Sequence, residues 1–402
     1  MLSLSESKKA SDPEEESPLG LYFHVPFCSS TCDFCAFYQK KPSKKEKERY
    51  FLALKEEISS ISADRLVSSV FVGGGTPGLL SERELINLGE LIRTHRLADG
   101  CEWSIELAPS EINTRKLEVL RDMGVNRISL GVQTFDDRLM TELGRDHSPD
   151  KARKAFENIR SLGFDSVNLD LIFGIPGQSL EEWKADLDEA VNLEPEHIST
   201  YCLTFEEDTA LYYRLSRGEL KIDAERDAQF YEIAWDFLPS CGFAQYEVSN
   251  FARPGRECIH NLNTWHMKEW IGFGPSACTQ FNGERRKNFS SLQKWSEVIL
   301  ESSEMEYEEF EKLTPYDLAR DALVFGLRMN AGINFREIAR KYDLADLSFE
   351  PVVKFLKLLD AEGMGVLSDQ SFRLTSKGRM IADGIASELP DMNESKVDSL
   401  CE

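Results

Sequence analysis

Six short, mostly apolar runs punctuate the first 240 residues, each bounded by turn formers, with helical stretches between them. They are Leu21–Val25, Val67–Val72, Trp103–Leu107, Arg127–Val132, Ser166–Phe173 and Ile198–Thr204. Runs of this kind read as parallel strands buried on both faces. In the first intervening stretch Phe51, Leu54, Ile58 and Ile61 form one helical apolar face. Ser81 and Glu84 have capping-box spacing ahead of another helix. Six βα units in succession predict an α/β fold, a partial TIM-like (β/α)6 barrel over residues 19–240.

Beyond residue 240 the rhythm changes. Residues 241–310 are rich in Gly, Asn, Trp and Cys and predict an irregular extension covering the barrel mouth. Residues 311–387 carry helical patterns at Pro315–Met329, Phe335–Tyr342 and Pro351–Ala361, short strands around Val366 and Phe372, and a last helix from Thr375. That order predicts a small winged-helix-like α+β domain, read here as a packing domain and not a DNA reader. Residues 1–18 are rich in Ser, Glu and Lys and read as a disordered tail, and 388–402 as an acidic one. The formal net charge of −23 repels phosphate backbones and argues against nucleic acid as a partner. The N-terminus lacks the apolar core of a secretory signal, and no apolar run suffices to span a bilayer. The expectation is a cytoplasmic chain with no stable membrane anchor. Nine cysteines, an odd number in a chain of 402 residues, predict reduced thiols and not a disulfide scaffold.

Three of those cysteines fall within eight residues, directly after the first strand: His24-Val-Pro-Phe-Cys28-Ser-Ser-Thr-Cys32-Asp-Phe-Cys35. Thiolates suit iron–sulfur clusters or zinc. A structural zinc needs a fourth ligand, and none sits at regular spacing nearby. Three thiolates on a four-iron cluster leave one iron open for a second molecule. Downstream, Gly73-Gly-Gly-Thr-Pro77 follows the second strand, where glycines let backbone amides approach a ligand. Glu106, Gln133, Arg145 and Asp170 fall at or near the C-terminal ends of later strands, the face on which barrel enzymes build their sites.

The spacing C-x3-C-x2-C after the first strand resembles the signature of the radical S-adenosylmethionine superfamily. The resemblance implies a 4Fe–4S cluster on Cys28, Cys32 and Cys35 whose open iron binds S-adenosylmethionine, with GGGTP serving the methionine amino group. The segments Tyr22–Phe37, GGGTP, GVNRISLGVQTFDD, LGRDH, NLDLIFGIPGQ and YEVSNFA are similar to the oxygen-independent coproporphyrinogen III oxidase group, over about residues 20–385. This implies that Tyr22, Phe34, Gly75, Thr76, Glu106, Gln133, Arg145 and Asp170 contact S-adenosylmethionine.

That group holds true oxidases, which decarboxylate coproporphyrinogen, and HemW heme chaperones, which deliver heme to acceptor proteins. Three features favour the chaperone branch. Phe37 stands where the oxidases carry a fourth cysteine, the segment before the first strand is short, and His260-Asn-Leu-Asn-Thr-Trp265 is close to the branch's H-N-x-x-Y-W motif. Thr264 replaces the tyrosine, and Cys278 stands where many relatives have histidine. His260 is then the candidate axial ligand for heme, with Cys258 and Cys278 as rivals. Trp265 and Trp270 are candidates to pack on the macrocycle, and Arg253, Arg256, Arg285 and Arg286 to pair with its propionates. No C-x-x-C-H occurs, so thioether attachment is not expected. The implied partners are heme or a porphyrin, a heme-acceptor protein and a flavodoxin- or ferredoxin-type electron donor. The alternative is a coproporphyrinogen oxidase or another radical enzyme acting on a tetrapyrrole.

Overall fold

The computed structural model describes residues 19–36, 38–61, 65–145, 147–345 and 349–392; the expected tail at 1–18, Phe37 and residues 393–402 lie outside them. Strands and helices alternate as β1 (Leu19–Val25), α1 (Lys44–Ser60), β2 (Val67–Gly74), α2 (Glu82–Ile92), β3 (Leu97–Leu107), α3 (Thr114–Asp122) and β4 (Arg127–Gln133). Then follow α4 (Asp137–Glu142), α5 (Pro149–Ser161), β5 (Ser166–Phe173), α6 (Leu180–Asn192), β6 (His197–Cys202), α7 (Ala210–Ser216) and α8 (Ala224–Ser240). Strands β1 to β6 are parallel and adjacent in chain order. Helix starts are set locally: Ser43 with Glu46, Ser81 with Glu84 and Ser179 with Glu182 each close a capping box.

The strands separate two chemistries. Along β1, Leu19, Leu21, Phe23 and Val25 belong to the apolar core with the helices, while Gly20, Tyr22 and His24 face the barrel interior. The interior is polar: Ser69, Glu102, Arg127, Ser129, Asn168 and His197 are all buried there. A TIM barrel normally fills this space with branched aliphatic side chains. Here it is filled by hydrogen bonds, such as Asn168 Oδ1 to His197 Nδ1 at 2.6 Å and Arg127 to Ser166 Oγ at 2.8 Å.

The segment expected to be irregular is largely ordered sheet. It supplies β7 (Ala244–Gln245), β8 (Asn250–Ala252), α9 (Ile259–Trp265), β9 (Trp270–Phe273), β10 (Cys278–Phe281), β11 (Glu284–Lys287), α10 (Leu292–Glu301) and β12 (Glu309–Lys312). Strands β8 and β7 extend the sheet antiparallel beyond β6, and β9 adds in parallel to β1, followed by β10 to β12. Because β1 pairs with β9 and β6 with β8, the twelve-stranded sheet stays open. Its topology fixes where α9 lies. Strand β8 runs against β6 and so ends at the N-terminal end of the barrel, where β9 begins. The connection between them must cross that opening, and α9 does so, packing on β2.

After β12 come α11 (Pro315–Arg328), β13 (Ile333–Asn334), α12 (Phe335–Lys341), α13 (Glu350–Ala361), β14 (Gly365–Leu367), β15 (Ser371–Leu374), α14 (Ser376–Arg379) and α15 (Ala382–Ser387). The three strands form their own sheet, in the order β13-β15-β14. Helix α11 packs on α9. Among the described residues no helix is long and apolar enough to cross a membrane.

Candidate functional site

The C-terminal ends of the parallel strands enclose a cavity of about 800 Å³. Its size is that of a site for a small molecule or cofactor. Cys28, Cys32 and Cys35 all line it, together with the predicted Phe34 of the same loop. The loop is held from several sides. Cys28 N donates to Lys40 O at 3.1 Å, Asp33 N donates to Leu143 O at 3.2 Å, and Leu211 N donates to Asp33 O at 3.0 Å. A second, smaller hydrophobic cluster of Leu139, Leu143, Ile172, Ile175, Leu203 and Leu211 packs with Phe34 above the barrel.

Gly75 and Thr76 form the adjoining wall. Gly75 N donates to Val25 O at 2.8 Å and Thr76 N to Phe27 O at 2.7 Å, so the second strand's loop is fastened to the segment leading into Cys28. A Cβ on Gly75 would stand 2.7 Å from Phe27 O, too close for any side chain. Gly74 takes φ +104° and donates its amide to Glu106 Oε2 at 3.1 Å. Thr76 Oγ1 lies 3.5 Å from Cys28 Sγ. Burial pushes the Cys28 thiol up, with Cys35 and Cys32 adding to it, while Thr76 and Arg145 oppose.

Glu106 and Asp170 line the far wall. Burial first, then the Asp170 charge, pushes the Glu106 carboxyl up to about 8, against the Gly74 amide. Burial also raises Asp170, opposed by hydrogen bonds from Ser129 and Asn168, each 2.8 Å long. Gln133 lines the cavity from a left-handed backbone, φ 72°, at the end of β4. Arg145 completes the set, its guanidinium carbon 5.6 Å from the Phe34 ring centroid. Seven of the eight residues expected to contact the nucleoside cofactor thus share one cavity with the three cysteines.

Tyr22 is the exception. It is absent from the cavity wall; its hydroxyl is 3.0 Å from His24 Nδ1 and its ring stacks on Phe71. Burial raises its phenol and holds the His24 imidazole down at about 4. Among the cavity-lining residues not singled out from the sequence are Gln39 and His147. Both lie in segments with a visible signal, just after the cysteine motif and within LGRDH. His147 Nε2 donates to Val132 O at 3.3 Å, bracing the β4 end beside Gln133.

The fit to a cluster with a bound cofactor rests on the donor set. Three thiols, none of them in a disulfide, share a wall. Gln39 Nε2 and Arg145 Nε, both buried in this cavity's lining, have no acceptor among the described residues, as donors awaiting an anionic or sulfur acceptor would. Among the described residues no group of three His, Cys, Asp or Glu side chains converges as a single metal ion would require. A tetrahedral zinc would need its sulfurs about 3.8 Å apart, whereas a four-iron cluster spreads them over separate irons.

The expected heme residues lie elsewhere. His260 opens α9 at the N-terminal end of the barrel, away from the cysteines, and not at the mouth above them. Its Nδ1 is 3.3 Å from Ser69 Oγ, its ring stacks on Phe71 at 5.1 Å, and burial holds it down at about 4. Cys258 is buried, its thiol donating to Glu102 Oε1 at 3.5 Å. Cys278 is exposed on β10. Trp265 packs edge-on against Phe325, and Trp270 donates to Cys278 O at 2.9 Å. Of the four arginines, Arg285 is committed to Asp321 at 2.5 Å, Arg253 covers Phe243 and Arg286 covers Tyr307, while Arg256 accepts from Arg127 through its carbonyl.

Residues 22–190 match the radical SAM superfamily profile and residues 313–381 the HemN C-terminal domain. The heme chaperone HemW of Bacillus subtilis (strain 168) is 33% identical over 370 residues, covering 90% of this chain and 97% of its own. HemW of Mycobacterium tuberculosis (strain ATCC 25618 / H37Rv) is 35% identical over 386 residues, covering 94% and 96%. The solved structure of Escherichia coli coproporphyrinogen III oxidase (HemN), a radical SAM enzyme, superimposes with a TM-score of 0.81 at 25% identity, covering 92% of this chain and 90% of that one. With near-full-length relatives on one side and the cysteine-lined cavity on the other, the chain belongs to the HemW family of the radical S-adenosylmethionine superfamily.

Proposed function

We propose that the chain is a heme chaperone: it binds heme and passes it to an acceptor protein, and it holds a 4Fe–4S cluster and S-adenosylmethionine in the barrel cavity. The observation that carries this reading is the likeness to proteins named heme chaperone HemW at 33% identity over 97% of the relative's length. Phe37, where the oxidases have a fourth cysteine, supports the same side. Cys28, Cys32 and Cys35 are the residues that would hold the cluster. When loaded, such a cluster offers one-electron reduction of a sulfonium bound at its open iron.

The chain's own residues would do the positioning. Gly73 leaves room for Glu106, which accepts from the Gly74 amide, and Gly74 leaves room for the His24 ring. Glu106 and Asp170 offer acceptors to the polar groups of the nucleoside, and Arg145, braced on Phe34, offers a cation. His260 is the favoured heme ligand, as a neutral imidazole. Cys278 is the rival that needs no rearrangement to be reached. A flavodoxin- or ferredoxin-type donor supplies the electron, and the working compartment is the cytoplasm.

The experiment is heme titration of the anaerobically reconstituted protein, followed through the Soret band, in the native chain and in His260→Ala and Cys278→Ala. A parallel incubation contains reductant, S-adenosylmethionine and coproporphyrinogen. Heme binding without porphyrinogen conversion fits the chaperone. Conversion to protoporphyrinogen would put the second reading first, that of an oxidase, which the superposition on HemN favours.

A further inference from the structure

We infer that the helix bearing His260 is held across the N-terminal opening of the barrel by a two-sided clamp, and that heme capture requires its release. The inference rests on the heme reading above and adds how access to that site is controlled. On the barrel side, Glu102 Oε1 accepts from His260 N at 3.1 Å, capping the N-terminus of α9. The imidazole lies between Ser69, 3.3 Å away, and the Phe71 and Tyr22 rings, with centroids 5.1 and 6.4 Å distant. Asn263 Nδ2 donates to Ser68 Oγ at 3.3 Å.

On the other side stands the C-terminal domain. Lys341 Nζ donates to the carbonyls of His266 and Met267, both at 3.0 Å, closing the C-terminal end of α9. Trp265 is held between Phe325, 5.7 Å between ring centroids, and the Arg328 guanidinium, 5.3 Å from its ring. Both ends and two faces of a seven-residue helix are therefore occupied. His260 is only half-buried, but Phe71 and Tyr22 pack against its ring and Ser69 meets its Nδ1, so a macrocycle that stacks on aromatic side chains has to displace these neighbours to lie on it. The ligand pair of the HNLNTW segment is thereby split: the histidine turns into the barrel and the tryptophan toward the C-terminal domain.

An equilibrium between stowed and released α9 has a measurable signature. If only the released state binds heme, apparent affinity is reduced by the fraction released, and weakening the clamp raises it. The variants are Lys341→Ala, at an exposed position, and Ser69→Ala, which removes one hydrogen bond. Neither residue has a role in the cysteine cavity. Each should tighten heme binding by about 2- to 10-fold, the value of one net hydrogen bond. Native protein should show slow amide exchange over residues 259–267 when free and faster exchange with heme bound. Unchanged heme affinity in both variants, with exchange over 259–267 equally slow with and without heme, would overturn the clamp while leaving heme binding intact. Absence of any Soret change in the native chain would instead remove the heme reading and the clamp with it. If a variant loses stability, exchange outside 259–267 reports it; the clamp requires the effect to centre on α9.

Discussion

Replacing Glu106 by Gln should abolish a pH dependence of S-adenosylmethionine binding that the native cavity imposes. In the empty site burial and the Asp170 charge hold the Glu106 carboxyl up at about 8, against an ordinary value of 4.5. Near neutrality it therefore carries a proton. A cationic sulfonium cofactor with hydroxyl and ammonium donors favours the carboxylate, so binding must release that proton below pH 8. The cost is about 1.4 kcal/mol for each pH unit below the free-site value. Affinity should then rise by about 50-fold from pH 6 to pH 8 and flatten above it. The sign follows from the direction of the shift: the free site holds the proton and the bound site does not, so raising pH favours binding. The cofactor's own ionisations act on both proteins and cancel in the comparison. Glu106→Gln keeps size and one acceptor and removes the titration. Equilibrium dialysis or calorimetry under anaerobic conditions, from pH 6 to 9, reads both slopes. Equal slopes for the two proteins would refute the argument.

Other perturbations test the scaffold around the site. Gly75→Ala would set a Cβ 2.7 Å from Phe27 O and 2.9 Å from Val25 O, both backbone atoms. The segment leading into Cys28 must shift, and cofactor affinity should fall about 10-fold or more with the circular dichroism unchanged; unaltered affinity would show that the loop tolerates the shift. Glu57, buried in α1, accepts from Gly274 N at 2.8 Å, Asn288 at 2.7 Å and Trp295 at 3.2 Å. Burial outweighs these donors and holds it up at about 7, above the ordinary 4.5. The folded chain keeps a proton that the unfolded chain has lost, so this site's contribution to stability is whole below pH 4.5 and declines as pH rises to 7, by about 3 kcal/mol. In denaturant titrations the stability gap between native and Glu57→Gln should change by that amount between pH 5 and 8; a constant gap refutes it. Cys28, Cys32 and Cys35 replaced together by Ala should lose the brown chromophore and about four irons per chain, and retained iron would move the cluster elsewhere.

Features dictated by local chemistry were legible in the sequence, and features dictated by distant pairing were not. Strand–helix alternation announces the parallel barrel because each unit carries its own period and caps, as Ser81 with Glu84 shows. The cysteine loop and GGGTP are legible for the same reason: soft ligands and missing Cβ atoms are local demands. The expected face of α1 holds at Leu54 and Ile58 but not at its edges. Tyr50 and Glu57 are buried, while Phe51 and Ile61 are only partly so. A glutamate reads as solvent-facing until its partners are known, and Asn288 and Trp295 lie more than 230 residues away. The polar interior is hidden likewise, since Ser69, Glu102, Arg127 and His197 find their partners far along the chain, at His260, Cys258, Ser166 and Asn168. Most telling is His260. Its motif is visible, but its location depends on β8 running against β6 and β9 running with β1. Those pairings oblige the chain between them to cross the N-terminal opening of the barrel. The same backbone path that completes the sheet therefore carries the histidine to the end opposite the cysteines, beneath a layer formed by Tyr22, His24 and Phe71. Any transaction between heme and the cluster has to pass that layer or move α9 around it.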